Sequence, residues 1–272
     1  MKRSLISLSL LILLATVLAT SAWAGPLEDS LAADAKGDYA TELKIIRPLA
    51  VQGVDWAQSN LGVMYAEGQG VVLDYAEEVK WYRLAAAQGN ASAQSNLGVM
   101  YAKGQGVVQD YAEAVKWYRL AAAQGNAKAQ FNLGVMYDTG RGVAQDYAEA
   151  VKWYRLAAAQ GNASAQSNLG VMYAKGQGVV QDYTEAVKWY RLAAAQGNAY
   201  AQFNLALMYD TGQGVVQDYI RAHMWFNLGA VSGDKDAVKN RDIVASKMTP
   251  QQIGEAQKRA RECQARQFKN CD

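Results

Sequence analysis

Residues 91–126 read ASAQSNLGVMYAKGQGVVQDYAEAVKWYRLAAAQGN, and residues 163–198 repeat them with one change, Thr184 in place of Ala112. The same pattern places Trp81, Trp117, Trp153, Trp189 and Trp225 at a spacing of 36 residues. Such a period is the mark of a stacked repeat architecture. Five full units follow from it: 55–90, 91–126, 127–162, 163–198 and 199–234. A degenerate unit precedes them, because Asp38-Tyr39-Ala40 aligns with Asp74-Tyr75-Ala76 and Gln52-Gly53 with Gln88-Gly89.

Each unit reads as two helices. Asn90 is placed to cap the first by accepting a free backbone N–H. Ala93, Leu97, Met100 and Tyr101 then form one apolar stripe of helical period. Gly104 is a left-handed stop, with Gln105 and Gly106 completing the turn. Asp110 caps the second helix, which buries Tyr111, Ala114, Val115, Tyr118, Ala121 and Ala122. One such pair cannot cover its own apolar face, but stacked pairs can. The expected fold is all-α: about fourteen helices and no sheet, in a right-handed α-solenoid of antiparallel pairs, a superhelix with a 36-residue repeat. Residues 25–54 form an N-terminal degenerate repeat or cap, 55–234 the five repeats and 235–272 a C-terminal helical cap. Thr249-Pro250-Gln251-Gln252 supplies the capping residue, N1 proline and N3 glutamine of a final polar helix.

Residues 1–24 read as a secretory signal peptide. Lys2 and Arg3 precede an apolar run from Leu5 to Ala19, and Ala22-Trp23-Ala24 supplies small residues for cleavage after Ala24. The alternative, a retained anchor, is disfavoured because the run is shorter than the about 20 residues a span needs. Gly25, not a cysteine, stands at the cleavage site, so no lipid anchor is expected there. The address is periplasmic or secreted. Lys2 and Arg3 also account for the whole excess of 27 basic over 25 acidic residues. A neutral mature chain argues against nucleic acid as a partner.

The unit Ala91-x-Ala93-Gln94-x-Asn96-Leu97-Gly98-x-Met100-Tyr101, followed by Gly104-x-Gly106-Val107, Asp110-Tyr111, Trp117-Tyr118 and Ala121-Ala122, resembles the Sel1-like repeat. That family is related to tetratricopeptide repeats, with a longer loop between helices. The resemblance implies an adaptor or scaffold, often bacterial and secreted, that binds a protein or peptide at the envelope or on a host surface. A module that binds peptidoglycan or polysaccharide, or modulates a glycan-cutting enzyme, is the alternative. A weak β-lactamase-like activity is a remote third reading, taken from cysteine-rich relatives that carry a cysteine pair in each repeat; these repeats carry none.

Little else points to catalysis, and the chain reads as a non-enzyme without cofactor. His223 is the sole histidine and stands where Val187 and Val151 stand in other copies, so a structural role is expected. With Cys263 and Cys271 as the only cysteines, no zinc spacing exists and no metal is expected. Ser232-Gly233-Asp234-Lys235 has the letters of a Ser-x-x-Lys motif but falls in a turn. Lys116-Trp117-Tyr118-Arg119 interleaves basic and aromatic residues as a single-strand binder does. The stronger reading buries Tyr118 and pairs Lys116 with Glu113 on a solvated face. In an oxidising compartment the two cysteines read as a disulfide. Eight residues of helix span about 12 Å, so the last helix must end between them, near Gln267 to Asn270.

Near-identical copies offer one further test: positions that differ are free of the packing constraint. In the first helices the differences fall at Trp56, Ser92, Lys128, Ser164 and Tyr200; at Ser59, Ser95, Phe131, Ser167 and Phe203; and at Val63, Val99, Val135 and Val171, which become Leu207. They fall also at Ala66-Glu67, Ala102-Lys103, Asp138-Thr139, Ala174-Lys175 and Asp210-Thr211. Helical period puts these on one face, opposite the Leu97–Tyr101 stripe. In tetratricopeptide arrays the corresponding face is the concave one that receives peptides. The candidate binding residues are therefore Trp56, Ser59, Ser92, Lys103, Lys128, Phe131, Asp138, Lys175, Tyr200, Phe203 and Asp210. Asn60, Asn96, Asn132, Asn168 and Asn204 stand beside them, either to bond a peptide backbone or to satisfy interhelix groups. Phe131 and Phe203 are expected to be exposed there. Drift on an unconstrained surface is the competing explanation of the variation.

Overall fold

The computed structural model describes residues 24–271. Among them are fourteen α-helices, one 3₁₀ turn at Ala230–Ser232 and no strand. The signal peptide read at 1–24 lies outside the described residues except for Ala24. No described helix is long and apolar enough to cross a membrane.

The chain divides into two compact units, the first ending at Asp110 and the second starting at Tyr111. The first holds α1 (Ala24–Asp34), α2 (Tyr39–Val51), α3 (Asp55–Glu67), α4 (Tyr75–Ala87) and α5 (Ala91–Lys103). The second holds α6 (Tyr111–Ala123), α7 (Ala127–Thr139), α8 (Tyr147–Ala159), α9 (Ala163–Lys175), α10 (Tyr183–Ala194), α11 (Ala199–Thr211), α12 (Tyr219–Gly229), α13 (Lys235–Ala245) and α14 (Pro250–Ala265). Within each unit consecutive helices pack against each other as far as α13, and α12 receives both α13 and α14.

The local chemistry is the expected one. Asn90, Asn126, Asn162 and Asn198 accept the backbone N–H three residues on, while Asp74, Asp146 and Asp182 cap second helices. Gly104 stops its helix at φ 68° and its N–H closes onto the Met100 carbonyl. The second glycine of that turn serves packing: a Cβ on Gly106 would lie 2.1 Å from the Tyr75 carbonyl oxygen. Leu97, Leu133, Leu169 and Leu205 are fully buried, as are the paired alanines of the second helices. The glycine after Leu133 and after Leu169 makes room for a tyrosine, since a Cβ on Gly134 would sit 2.6 Å from the Tyr154 ring and one on Gly170 2.4 Å from the Tyr190 ring.

A polar clasp lies inside this apolar frame. Gln58, Gln130 and Gln166 are buried, and each donates to a carbonyl of the preceding helix, Ala50, Ala122 or Ala158, at 3.1–3.2 Å. Each also accepts from a second glutamine, Gln88, Gln160 or Gln196, at 2.7–2.8 Å. The basic-aromatic pattern is committed to packing as well. Arg83, Arg119, Arg155 and Arg191 donate to the tyrosine hydroxyl of the next first helix, at 2.6–2.9 Å. Lys116 pairs with Glu113.

Candidate functional site

In the first unit, Trp56 is half-buried against the α2–α3 core, Ser59 is buried, Asn60 is half-buried and Ser92 and Lys103 are exposed. Asn96 hydrogen-bonds the Tyr82 hydroxyl across the helix pair. In the second unit, Lys128, Lys175 and Tyr200 are exposed, and Asn132, Asp138, Asn168, Asn204 and Asp210 are half-buried.

Phe131 and Phe203 depart from expectation. Both are half-buried rather than exposed, with Phe131 lying 5.9 Å from the Tyr154 ring and Phe203 edge-on to Phe226 at 5.5 Å. Ser95 and Ser167 at the same position are buried too. The reason is angular: at about 100° per residue this position turns roughly 60° from the first variable one, toward the second helix. It belongs to the wall of the core.

Four of the candidate residues do converge. Asp138 from α7, Asn168 and Lys175 from α9 and Tyr200 from α11 line a recess of about 350 Å³, with Val171, Met172 and Gln177. The Tyr154 hydroxyl donates to Asp138 Oδ2 at 3.1 Å and is also hydrogen-bonded by Asn168. Burial holds the Tyr154 phenol well above its usual range, and the Asp138 carboxylate reinforces this, so Tyr154 is a neutral donor. It fixes the carboxylate against the floor. Lys175 stands on the same recess, yet no ion pair joins it to Asp138. The last repeat shows the contrast: Asp210 is closed off by Lys247 at 2.9 Å. Asn204 is also committed, its amide donating to the Tyr200 carbonyl at 2.8 Å.

Tyr154 and Gln177 were not singled out by variation between copies. Tyr154 lies on a second helix, where Tyr82, Tyr118 and Tyr190 match it and only Phe226 departs, and Gln177 lies in the turn, where Gln69, Gln105 and Gln213 match it and only Arg141 departs, so both stand outside the variable positions of the first helices. The remaining chemistry is structural. His223 is buried, and burial followed by the nearby Arg241 lowers its pKa, so its ring is neutral at neutral pH. No group of three or more His, Cys, Asp or Glu side chains able to hold a metal occurs among the described residues. Ser232 to Lys235 spans the 3₁₀ turn and the start of α13, not one helix.

With helices, turns and clasp repeating at 36 residues, the profile of the Sel1 repeat matches residues 57–90, 91–126, 127–162, 163–198 and 199–234. The chain belongs to the Sel1 repeat family. Two of the solved structures similar to it illustrate the likeness. One is c5321, a protective antigen present in uropathogenic Escherichia coli strains displaying an SLR fold, 39% identical, with a TM-score of 0.73 and 82% of this chain covered. This chain spans 49% of that protein's length. The other is a Sel1 repeat protein from Oxalobacter formigenes, 35% identical over 78% of this chain and 84% of that one, also with a TM-score of 0.73. Among curated proteins, none matches. The comparison makes the chain a Sel1 repeat scaffold, a fold generally used for protein–protein contact.

Proposed function

We propose that this Sel1 repeat protein is a periplasmic or secreted binding scaffold, without catalytic activity of its own. Its second unit takes a peptide segment that carries a basic and an acidic side chain close together. One observation carries the reading: the carboxylate of Asp138 and the ammonium of Lys175 line one recess without neutralising each other. A ligand bearing both charges completes both pairs, while Asn168 and Gln177 supply amide partners for its backbone. Tyr200, 55% exposed at the rim, offers a flat apolar face to the adjoining residue. Export rests on residues 1–24 and on the cysteine pair, which suits an oxidising compartment.

Panning a random twelve-residue display library against the purified chain tests this. The enriched peptides are expected to share a Lys or Arg beside an Asp or Glu. Asp138→Asn and Lys175→Gln should each weaken a selected peptide about tenfold or more, as loss of one partner of a charged contact does. Lys239→Gln, on the exposed surface of α13, should leave it unchanged. Peptides that bind both recess variants as well as the wild type overturn the assignment. Co-sedimentation with peptidoglycan, unaffected by either variant and without any enriched peptide, would support the glycan-binding reading instead.

A further inference from the structure

We propose that a second recess, at the C-terminal end of the second unit, binds a small amphipathic anion of the size of an aromatic carboxylate. The Cys263–Cys271 disulfide holds one of its walls in place. The site shares no residue with the peptide recess and does not depend on that reading.

The recess measures about 500 Å³, within the range of small-molecule sites. Lys188, Arg191 and Leu192 of α10 and Ala195, the residue that caps it, border the recess at the spacing of one helical face. The Trp225 ring forms the buried floor and Phe268 from the tail the facing wall. Leu192 is 50% exposed, an aliphatic surface left open to solvent. Two cationic side chains, Arg191 and the Lys188 that pairs with Glu185, thus border an aromatic and aliphatic floor, and no acidic side chain lines the recess itself among the described residues. Arg191 is fixed in position, donating to the Tyr209 hydroxyl at 2.7 Å and lying over that ring. An apolar body with one negative head matches this arrangement; a cation or a neutral polar molecule does not.

The wall explains the tail. Gln267, Phe268 and Asn270 all adopt left-handed backbone conformations, at φ 53°, 63° and 52°. Side-chain-bearing residues avoid that region unless the surroundings hold them there. Two things hold them: the Phe268 N–H donates to the Cys263 carbonyl at 2.9 Å, and Cys271 is bonded to Cys263. The Phe268 ring then rests on Gly197, where a Cβ would come within 3.0 Å of it. Cutting the disulfide lets these residues relax to ordinary conformations, which withdraws Phe268, Asn270 and Cys271 from the recess.

Calorimetric titration of the oxidised full chain with 2-naphthoate, and with naphthalene-2-carboxamide as its uncharged twin, tests the proposal. One saturable site for the carboxylate is expected, with the amide about tenfold weaker for want of the charged contacts. Ala195→Glu, which places a carboxylate at the rim of an exposed helix end, should weaken 2-naphthoate about tenfold or more. The Cys263→Ser, Cys271→Ser double variant should do the same, and Phe268→Ala provides a second cut at the wall if that variant unfolds. No binding at millimolar 2-naphthoate, equal binding of the amide, or full affinity in Ala195→Glu overturns the site. Full affinity in a folded double-serine variant overturns the role of the disulfide.

Discussion

Glu78 is an acid at a position where the other repeats carry Ala114, Ala150, Ala186 and Ala222. Its side chain is buried, Oε2 has no hydrogen-bond partner, and burial pushes its carboxyl up to about 7, against a weaker opposite pull from Lys103. An unfolded glutamate ionises near about 4.3. Below that, both states hold the proton and the residue does not tilt the balance. Between there and about 7 the unfolded chain alone releases it, so stability falls as pH rises, and above that the full penalty stands. Glu78→Ala, which restores the residue of the other copies, is therefore expected to stabilise the protein by about 1–3 kcal/mol at mildly alkaline pH. The gain should vanish below about pH 4. Urea unfolding at both pH values checks it, and a gain independent of pH would mean that packing, not ionisation, is responsible. The misplaced expectation for Phe131 and Phe203 belongs to this scale too. Variation between copies shows that a site is not held to one residue, but a serine and a phenylalanine can fill the same partly buried wall with different neighbours. Exposure cannot be read from variation alone.

At the scale of the helix, most of the architecture was legible because each boundary is written twice, as a cap and as a glycine. Asn162 opens α9 and Gly176 closes it, with Asp182 opening the next helix, and the same letters recur at 36 residues. The glutamine clasp was not legible. Gln166 stands among the apolar residues of α9, and its constancy across copies says that it packs, not what it bonds. Its amide donates to the Ala158 carbonyl and its Oε1 accepts from Gln196, contacts eight and thirty residues away along the chain. Gln166→Leu keeps the volume and removes both bonds, leaving the Ala158 carbonyl with the backbone N–H of Gly161 and the Gln196 amide without its partner. That should lower the stability of the second unit by about 1–3 kcal/mol. Gln196→Ala, whose own side chain reaches solvent, should cost less than half as much. Chemical denaturation of the two variants separates them; equal losses would show that the second glutamine, not the carbonyl bond, holds the clasp. The recess was legible only in part for a related reason. Asp138 and Lys175 vary on the first-helix face, whereas Tyr154, which anchors the carboxylate, lies on a second helix and matches Tyr82, Tyr118 and Tyr190, so it is hidden among core positions.

On the scale of the whole molecule, a repeat array gains its stability from neighbours, and its last repeat has none beyond it. Here α13 and α14 both cover α12, whose Trp225, Phe226 and Leu228 are buried. The final helix is polar and short of apolar contacts, with only Ala256, Ala260 and Cys263 buried along it. The chain ends this helix at Ala265 and folds back so that Cys271 lies 5.2 Å from Cys263, Cα to Cα. A continuous helix would have held them about 12 Å apart. Closing so small a loop restricts the unfolded tail by about 2–3 kcal/mol in the chain-entropy account. Because neighbouring repeats couple locally, the effect should stay local. Reduction is expected to raise amide exchange across α14 and α12 while leaving α7 to α9 at the protection they have in the oxidised protein. Mass spectrometry of the native, unreduced chain should find no alkylatable thiol. Two free thiols, or a loss of protection spread evenly through α7 to α14, would show that the array is not capped by this bond.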